Sequence, residues 1–218
     1  MYVQQIRYDS NYDTDEVLNI VYDTIKNDTY DDILSVVEYI ALQLNKEYYQ
    51  EGEIDPYNYL NYIFEKEFVA YRFINGLIAP ISNKIEVEEI KRASSSPHAQ
   101  VNNHFNKSLE MLSNRDSPDY ENSIKESISA VECICSIIIG KQTSLGDALS
   151  KLEKAGLTIH PSMKSAFDKL YGYTSDGTGI RHSGQLGGAQ STFEEAKFML
   201  VSCCAFVNYL IGAMSKYK

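Results

Sequence analysis

The sequence predicts a mainly α-helical protein in two parts: a helical bundle, preceded by a smaller acidic helical region that carries one β-hairpin. Three observations carry that reading. Apolar residues recur at helical spacing along most of the chain. A single Asn75-Gly76 pair lies between two β-rich runs, the pattern of a two-residue hairpin turn. The charge also divides unevenly: residues 1–96 hold 18 acidic and 8 basic side chains, which accounts for the whole net charge of -10, whereas residues 97–218 hold 12 of each. Such asymmetry points to two units with different tasks, or to a solvated acidic surface that keeps the protein dispersed.

The elements follow in order. "TDEVLNIVYDTIKN" and "DDILSVVEYIALQLN" have the spacing of amphipathic helices, and "DPYNYLNYIFEKEF" opens a third with Asp55 as cap and Pro56 in the first turn. "FVAYRFINGLIAPIS" predicts the hairpin, over about residues 68–81, with a short second strand because Pro80 is tolerated only near a strand end. "NKIEVEEIKRA" predicts a helix capped by Asn83, with Glu86 completing a variant capping box. The serines of "SSSPHA", followed by Pro97 at a helix start, mark the boundary between domains 1–96 and 97–218.

Beyond it, "PHAQVNNHFNKSLEMLSN" and "SPDYENSIKESISAVECICSIIIG" predict a long antiparallel helix pair, the second stopped by Gly140. "SLGDALSKLEKAG", from cap Ser144, and "HPSMKSAFDKLYGYTS", with Pro161 in its first turn, predict two shorter helices. A glycine-rich stretch, "YTSDGTGIRHSGQLGGAQS", leads to "STFEEAKFMLVSCCAFVNYLIGAMSKYK", a last helix whose Ser191 and Glu194 are spaced as a capping box.

Composition excludes several classes. With 44% hydrophobic and 23% charged residues the chain reads as an ordinary globular protein. No apolar run of membrane-spanning length and no signal-peptide pattern is expected, so the cytoplasm is the expected location, with no membrane partner. Cys133, Cys135, Cys203 and Cys204 sit inside apolar helical runs, where residues one or two apart face different ways, so the reading is buried thiols rather than a zinc site. Nucleotide-binding loops, metalloprotease helices and serine nucleophile elbows do not occur, and "GQLGGAQ" is only a weak anion-binding signal. Many of the 17 tyrosines lie in the acidic region, where scarce basic residues disfavour a nucleic-acid platform and favour a protein-binding surface.

The chemistry-bearing residues gather around the glycine-rich stretch. Arg181 and His182 supply a permanent cation and a base that titrates near neutral pH. They either act on a substrate or tie a loop down, Arg181 to Asp176 or a helix end and His182 under the last helix. Asn122, Glu126, Ser129, Cys133 and Ser136 recur three and four residues apart, a stripe of mostly small polar groups that either lines a cleft or admits a neighbouring helix. Lys125 and Glu126 flank it as candidates to position phosphate. Tyr171 and Tyr173 lie beside the loop. His98 and His104, six residues apart on one helix, have a poor metal spacing and read as surface or packing residues, and His160 reads as a helix-cap neighbour.

"SPDYENSIKESISAVE", "LYGYTSDGTGIRHSG" and "EEAKFMLVSCCAFVNYLIG" together resemble the C-terminal domain of AbiJ-type bacterial abortive-infection proteins, a member of the HEPN superfamily. "EFVAYRFINGLIAPISNKIEVEEI" resembles the end of the N-terminal domain found with it. The resemblance implies a HEPN-like helical bundle, usually dimeric, and in many relatives a metal-independent endoribonuclease acting as a toxin or antiviral effector. It further implies Arg181 and His182 as the catalytic pair, RNA as partner and no cofactor or metal; Lys125, Glu126, Ser129 and Tyr173, read from the stripe and the flank of the loop, are then expected toward substrate. The superfamily motif separates its arginine and histidine by several residues, whereas here they are adjacent; on a helix such neighbours diverge by about 100°, but on a glycine-rich loop they can converge. Two further readings stand beside this one. One is a catalytically silent HEPN-like binding or scaffolding protein, favoured by the balanced charge of residues 97–218. The other is an antitoxin-like partner that masks a basic protein with the acidic, tyrosine-rich N-terminal region.

Overall fold

Asn75 and Gly76 both have positive φ, 52° and 86°, the backbone that matches a two-residue turn to the twist of its strands. Around them the computed structural model, which describes residues 14–47, 49–50, 54–143, 145–175 and 191–214, forms the antiparallel pair β1 (Arg72–Ile74) and β2 (Leu77–Ala79). Phe73 faces Ile78 across the ladder, and Pro80 follows directly as the second strand ends.

Before the hairpin come α1 (Thr14–Asn27), α2 (Tyr30–Glu47) and α3 (Pro56–Lys66). Reciprocal bonds start α2: the Asp32 N–H donates to Thr29 Oγ1 at 3.3 Å, and the Thr29 hydroxyl donates to Asp32 Oδ2 at 2.6 Å. Asp55 caps α3 by accepting from the Tyr57 N–H at 2.9 Å, with Pro56 in the first turn. At its other end the Val69 N–H bonds to the Phe64 carbonyl and the Phe68 N–H to that of Glu65, a Schellman closure that places Phe68 at φ 57°, where glycine is usual. Leu34, Ala41, Phe64, Phe73 and Ile78 form this unit's core. Two polar ties fix the hairpin against the helices. The Asn61 amide brackets Phe73, accepting from its N–H at 2.7 Å and donating to its carbonyl at 2.9 Å, and Glu38 accepts from the Ile78 N–H at 2.7 Å.

The chain divides into two compact units, the first ending at Pro80 and the second starting at Ile81. The helix after the hairpin, α4 (Lys84–Ser94), packs with the second unit, against α5 (Ala99–Ser113) and α9 (Phe193–Met214), so the packing boundary precedes the break at "SSSPHA". Asn83 caps α4, accepting from the Ile85 N–H at 2.9 Å, but Glu86 does not complete the expected box: its carboxylate lies 2.8 Å from Lys197 Nζ on α9.

The second unit is a helical bundle. α5 and α6 (Tyr120–Ile139) pack side by side, α9 lies against α4, α5 and α6, and α7 (Leu145–Lys151) and α8 (Pro161–Ser175) complete it. Val101, Phe105, Leu109 and Leu112 recur along the buried face of α5 at the spacing the sequence shows. Ser108, Ser123 and Ser127 lie buried where α5 meets α6. Ser108 Oγ is 2.7 Å from Ser127 Oγ and 2.8 Å from the Ser123 carbonyl, and Ser123 donates back to the Ser108 carbonyl at 2.9 Å. Short side chains let the helices approach closely, and these bonds satisfy hydroxyls that would otherwise be costly to bury. α6 ends on Gly140 at φ 73°, as expected.

Two sequence expectations are corrected here. Ser191 and Glu194 do not cap the last helix; the box lies one residue later, with the Thr192 N–H donating to Glu195 Oε2 at 2.8 Å and the Glu195 N–H to Thr192 Oγ1 at 3.2 Å. Among the described residues one helix, α9, is also long and apolar enough to cross a membrane by length and composition. It also supplies much of the bundle core: Met199, Leu200, Cys203, Cys204, Phe206, Val207 and Leu210 are buried, while Phe198 and Tyr209 on its other side are exposed.

Candidate functional site

Small side chains along one face of α6 leave space beside α5. Ser129, Cys133 and Ser136, three members of the stripe read from the sequence, line a cleft of about 710 Å³ together with Gln100 and His104 of α5, Glu132 of α6 and the segment Gly140 to Thr143. The left-handed turn at Gly140 folds that segment back, and the Thr143 N–H donates to Ser136 Oγ at 3.2 Å, which seats it as one wall.

His104 and Glu126 form the most directional pair in this region. His104 Nδ1 lies 2.7 Å from Glu126 Oε2, both side chains part-buried. A carboxylate acceptor there assigns the proton to Nδ1 and leaves Nε2 of the neutral ring as a proton acceptor. An imidazole oriented by a carboxylate is the arrangement that general acid–base chemistry uses. Cys133 offers less: its thiol points to Gln100 Oε1 at 3.7 Å, and burial raises its pKa, so it is not poised as a thiolate. Burial likewise pushes Cys135 and Cys203 up to about 12, and among the described residues no group of three or more His, Cys, Asp or Glu side chains is gathered to hold a metal.

The other expected site residues scatter. Lys125 Nζ donates to Asn122 Oδ1 at 3.3 Å, and Ser129 donates to the Lys125 carbonyl at 2.9 Å while lining the cleft. His98 ends up as the cap residue of α5, and His160 Nδ1 accepts from the Ser162 N–H at 3.2 Å beside α8. Arg181 and His182, with Asp176, lie outside the described residues.

The two helices that flank residues 176–190 are tied together. The Tyr173 hydroxyl, near the end of α8, donates to Glu195 Oε1 in the first turn of α9 at 2.6 Å. That bond, then part burial and the carboxylate's charge, push the phenol up to about 12. The same bond, with those from Thr192, holds Glu195 below the usual carboxylate range. At neutral pH the tie is therefore a phenol on a carboxylate, a charge-assisted bond. Sequence reasoning named Tyr173 but missed Glu195, whose spacing from Thr192 was the available signal. It also named Glu126 without its partner His104, because the two are far apart in sequence.

The fold is thus that of a two-unit, mainly α protein with one small hairpin and a helical bundle. Residues 3–96 match the family model of AbiJ N-terminal domain 4, which links this part of the chain to abortive-infection defence. No curated protein and no solved structure matches the chain. The family match ends at the serine-rich break, beyond the packing boundary at Pro80.

Proposed function

We propose that the protein is an abortive-infection effector of the cytoplasm whose residues 97–218 form a HEPN-type, metal-independent endoribonuclease, active as a homodimer. His182 takes the proton from a ribose 2'-hydroxyl, whose oxygen attacks phosphorus as the bond to the 5'-oxygen breaks; a proton returns to that leaving oxygen. Arg181 stabilises the charge that develops on the phosphate oxygens. The products are a 2',3'-cyclic phosphate and a 5'-hydroxyl. Lys125, Glu126, Ser129 and Tyr173 act toward the RNA.

The observation that carries the defence reading is the match of residues 3–96 to AbiJ N-terminal domain 4. The chemistry is supported by the bundle itself and by the Tyr173–Glu195 tie between the two helices that flank Arg181 and His182 in the sequence. Growth of a host expressing the chain, with total RNA followed on a gel, tests it. Growth arrest and RNA fragments should vanish in Arg181→Ala and His182→Ala variants that accumulate as folded protein; arrest that persists in both refutes the assignment.

A second reading has its own observation. Residues 97–218 carry no net charge, and the described cleft is lined by both Glu132 and Lys141, whereas RNA binders show a basic face. Under it the bundle is a silent binding module, and no RNA is cut by the wild-type chain.

A further inference from the structure

α2 carries two apolar faces, one filled by the first unit's own core and the other used by it only in part. Leu34 and Ala41 pack with Phe64, Phe73 and Ile78. Val37, Ile40 and Leu44, spaced three and four apart along α2, instead line a groove of about 550 Å³. Ile54, Tyr59 and Leu60, at and just before α3, form its other wall. Val37 and Leu60 also touch the core, so the groove floor is backed by packed side chains. Its rim is open: Ile54 is 76% exposed, Tyr59 53% and Leu44 41%. An apolar groove with a firm floor, a wet rim and aromatic edges has the make-up of a protein-binding surface, and a stripe at helical spacing fits the anchors of a helix laid into it.

Charge decides which occupant. Residues 1–80, the unit that holds the groove, carry 15 acidic and 5 basic side chains, whereas residues 81–218 carry 15 of each, so the entire net charge of -10 belongs to this unit. Asp55 stands between the lining residue Ile54 and the start of α3. Such a surface repels a second copy of itself, an anionic membrane and nucleic acid, and within a Debye length of about 8 Å at physiological salt it attracts cations. We propose that the groove between α2 and α3 is the docking site for an amphipathic helix of a partner protein, with apolar anchors in the groove and a basic outer face toward the acidic unit. The proposal stands on this unit alone and does not depend on RNA cleavage by the other.

The test uses the full chain and two fluorescein-labelled helical peptides of one length, sharing an apolar face of leucines at i, i+3 and i+7. One bears lysines on its polar face, the other glutamates, and binding is read by anisotropy. The lysine peptide should saturate the protein at least about tenfold more tightly than the glutamate peptide, and weaken as salt rises. Ile54→Lys and Tyr59→Ala remove exposed anchors without touching the core, so both variants should keep the wild-type circular dichroism while weakening the lysine peptide by about tenfold or more, the loss expected of a central anchor. Tyr22→Ala, exposed on α1 and not part of the groove, should bind as wild type. Absence of binding, equal binding of both peptides, or indifference to Ile54→Lys and Tyr59→Ala overturns the proposal. A concentration-dependent dimer in sedimentation that Ile54→Lys abolishes also overturns it, by giving the groove to a second copy.

Discussion

The two units solve the problem of apolar surface in opposite ways. In the second, Phe105, Leu109, Ile124, Ile134 and Met199 are almost completely buried, and the space left beside α6 is polar. In the first, Ile54 and Tyr59 stand in solvent at an apolar groove, on a unit that carries all of the net charge. The neutral bundle buries a continuous core and leaves only scattered apolar side chains such as Ile85 and Phe198 exposed, whereas the charged unit gathers several of its exposed apolar side chains along one groove. Charge and exposed apolar surface thus concentrate in the same unit, as the uneven charge of the sequence suggests.

Substitutions sharpen that contrast. The largest stability effect belongs to the bundle: Phe105→Ala leaves a cavity in a closed core and should cost about 3–5 kcal/mol in chemical denaturation, whereas Ile54→Ala at the open groove should change stability by less than about 0.5 kcal/mol. Equal costs would erase the distinction. Next in size are the buried polar ties. Ser108→Ala strands partners on α6, and Asn61→Ala frees both backbone groups of Phe73; each should lose about 1–3 kcal/mol. If Ser108→Ala and Ser127→Ala add without coupling, the serine cluster is not a network.

A gain of stability is expected at Phe68. It occupies a left-handed position while 95% exposed, so Phe68→Gly relieves backbone strain without losing buried area and should stabilise the protein by about 1 kcal/mol. A loss instead would mean that the ring makes contacts which the groove account lacks.

The smallest effect is a pH dependence. Glu195 titrates lower in the folded protein than its ordinary 4.5, so the tie contributes stability above that pH and loses it as the pH falls through the depressed value. Tyr173, held up to about 12, keeps its contribution below its ordinary 10.0 and loses it as the pH rises through about 12. In Glu195→Gln one phenol should return toward 10.0, seen as a phenolate absorbance difference against Tyr173→Phe. No change would show that the tie does not form in solution.

Much of the scaffold was legible because local chemistry decides it. Asp55-Pro56, Asn75-Gly76, Asn83 and Gly140 all punctuate the chain where their backbone preferences require. The last cap slipped by one residue because Ser191 and Thr192 compete for the same role, each with a glutamate three residues on, and tertiary context chose Thr192 with Glu195. The stripe of Asn122, Glu126, Ser129, Cys133 and Ser136 was read as a cleft lining or a close-packing face; Ser129, Cys133 and Ser136 line the cleft, whereas the close packing against α5 falls to Ser123 and Ser127, which the stripe did not include. The His104–Glu126 pair could not be read, since nothing local brings residues of two helices together. The apolar groove was hidden for a related reason: Val37, Ile40 and Leu44 have the same spacing whether a partner or the protein's own core covers them.

The proposed cleavage of RNA by Arg181 and His182 is tested most directly by end-group analysis. Purified protein is incubated with a defined RNA in the presence of EDTA, and the new termini are identified by mass spectrometry. The account predicts fragments ending in 2',3'-cyclic phosphate and 5'-hydroxyl from the wild type, and intact RNA from folded Arg181→Ala and His182→Ala. Cleavage that persists in both variants, 3'-hydroxyl ends, or RNA left whole by the wild type under conditions where its expression arrests growth would contradict it.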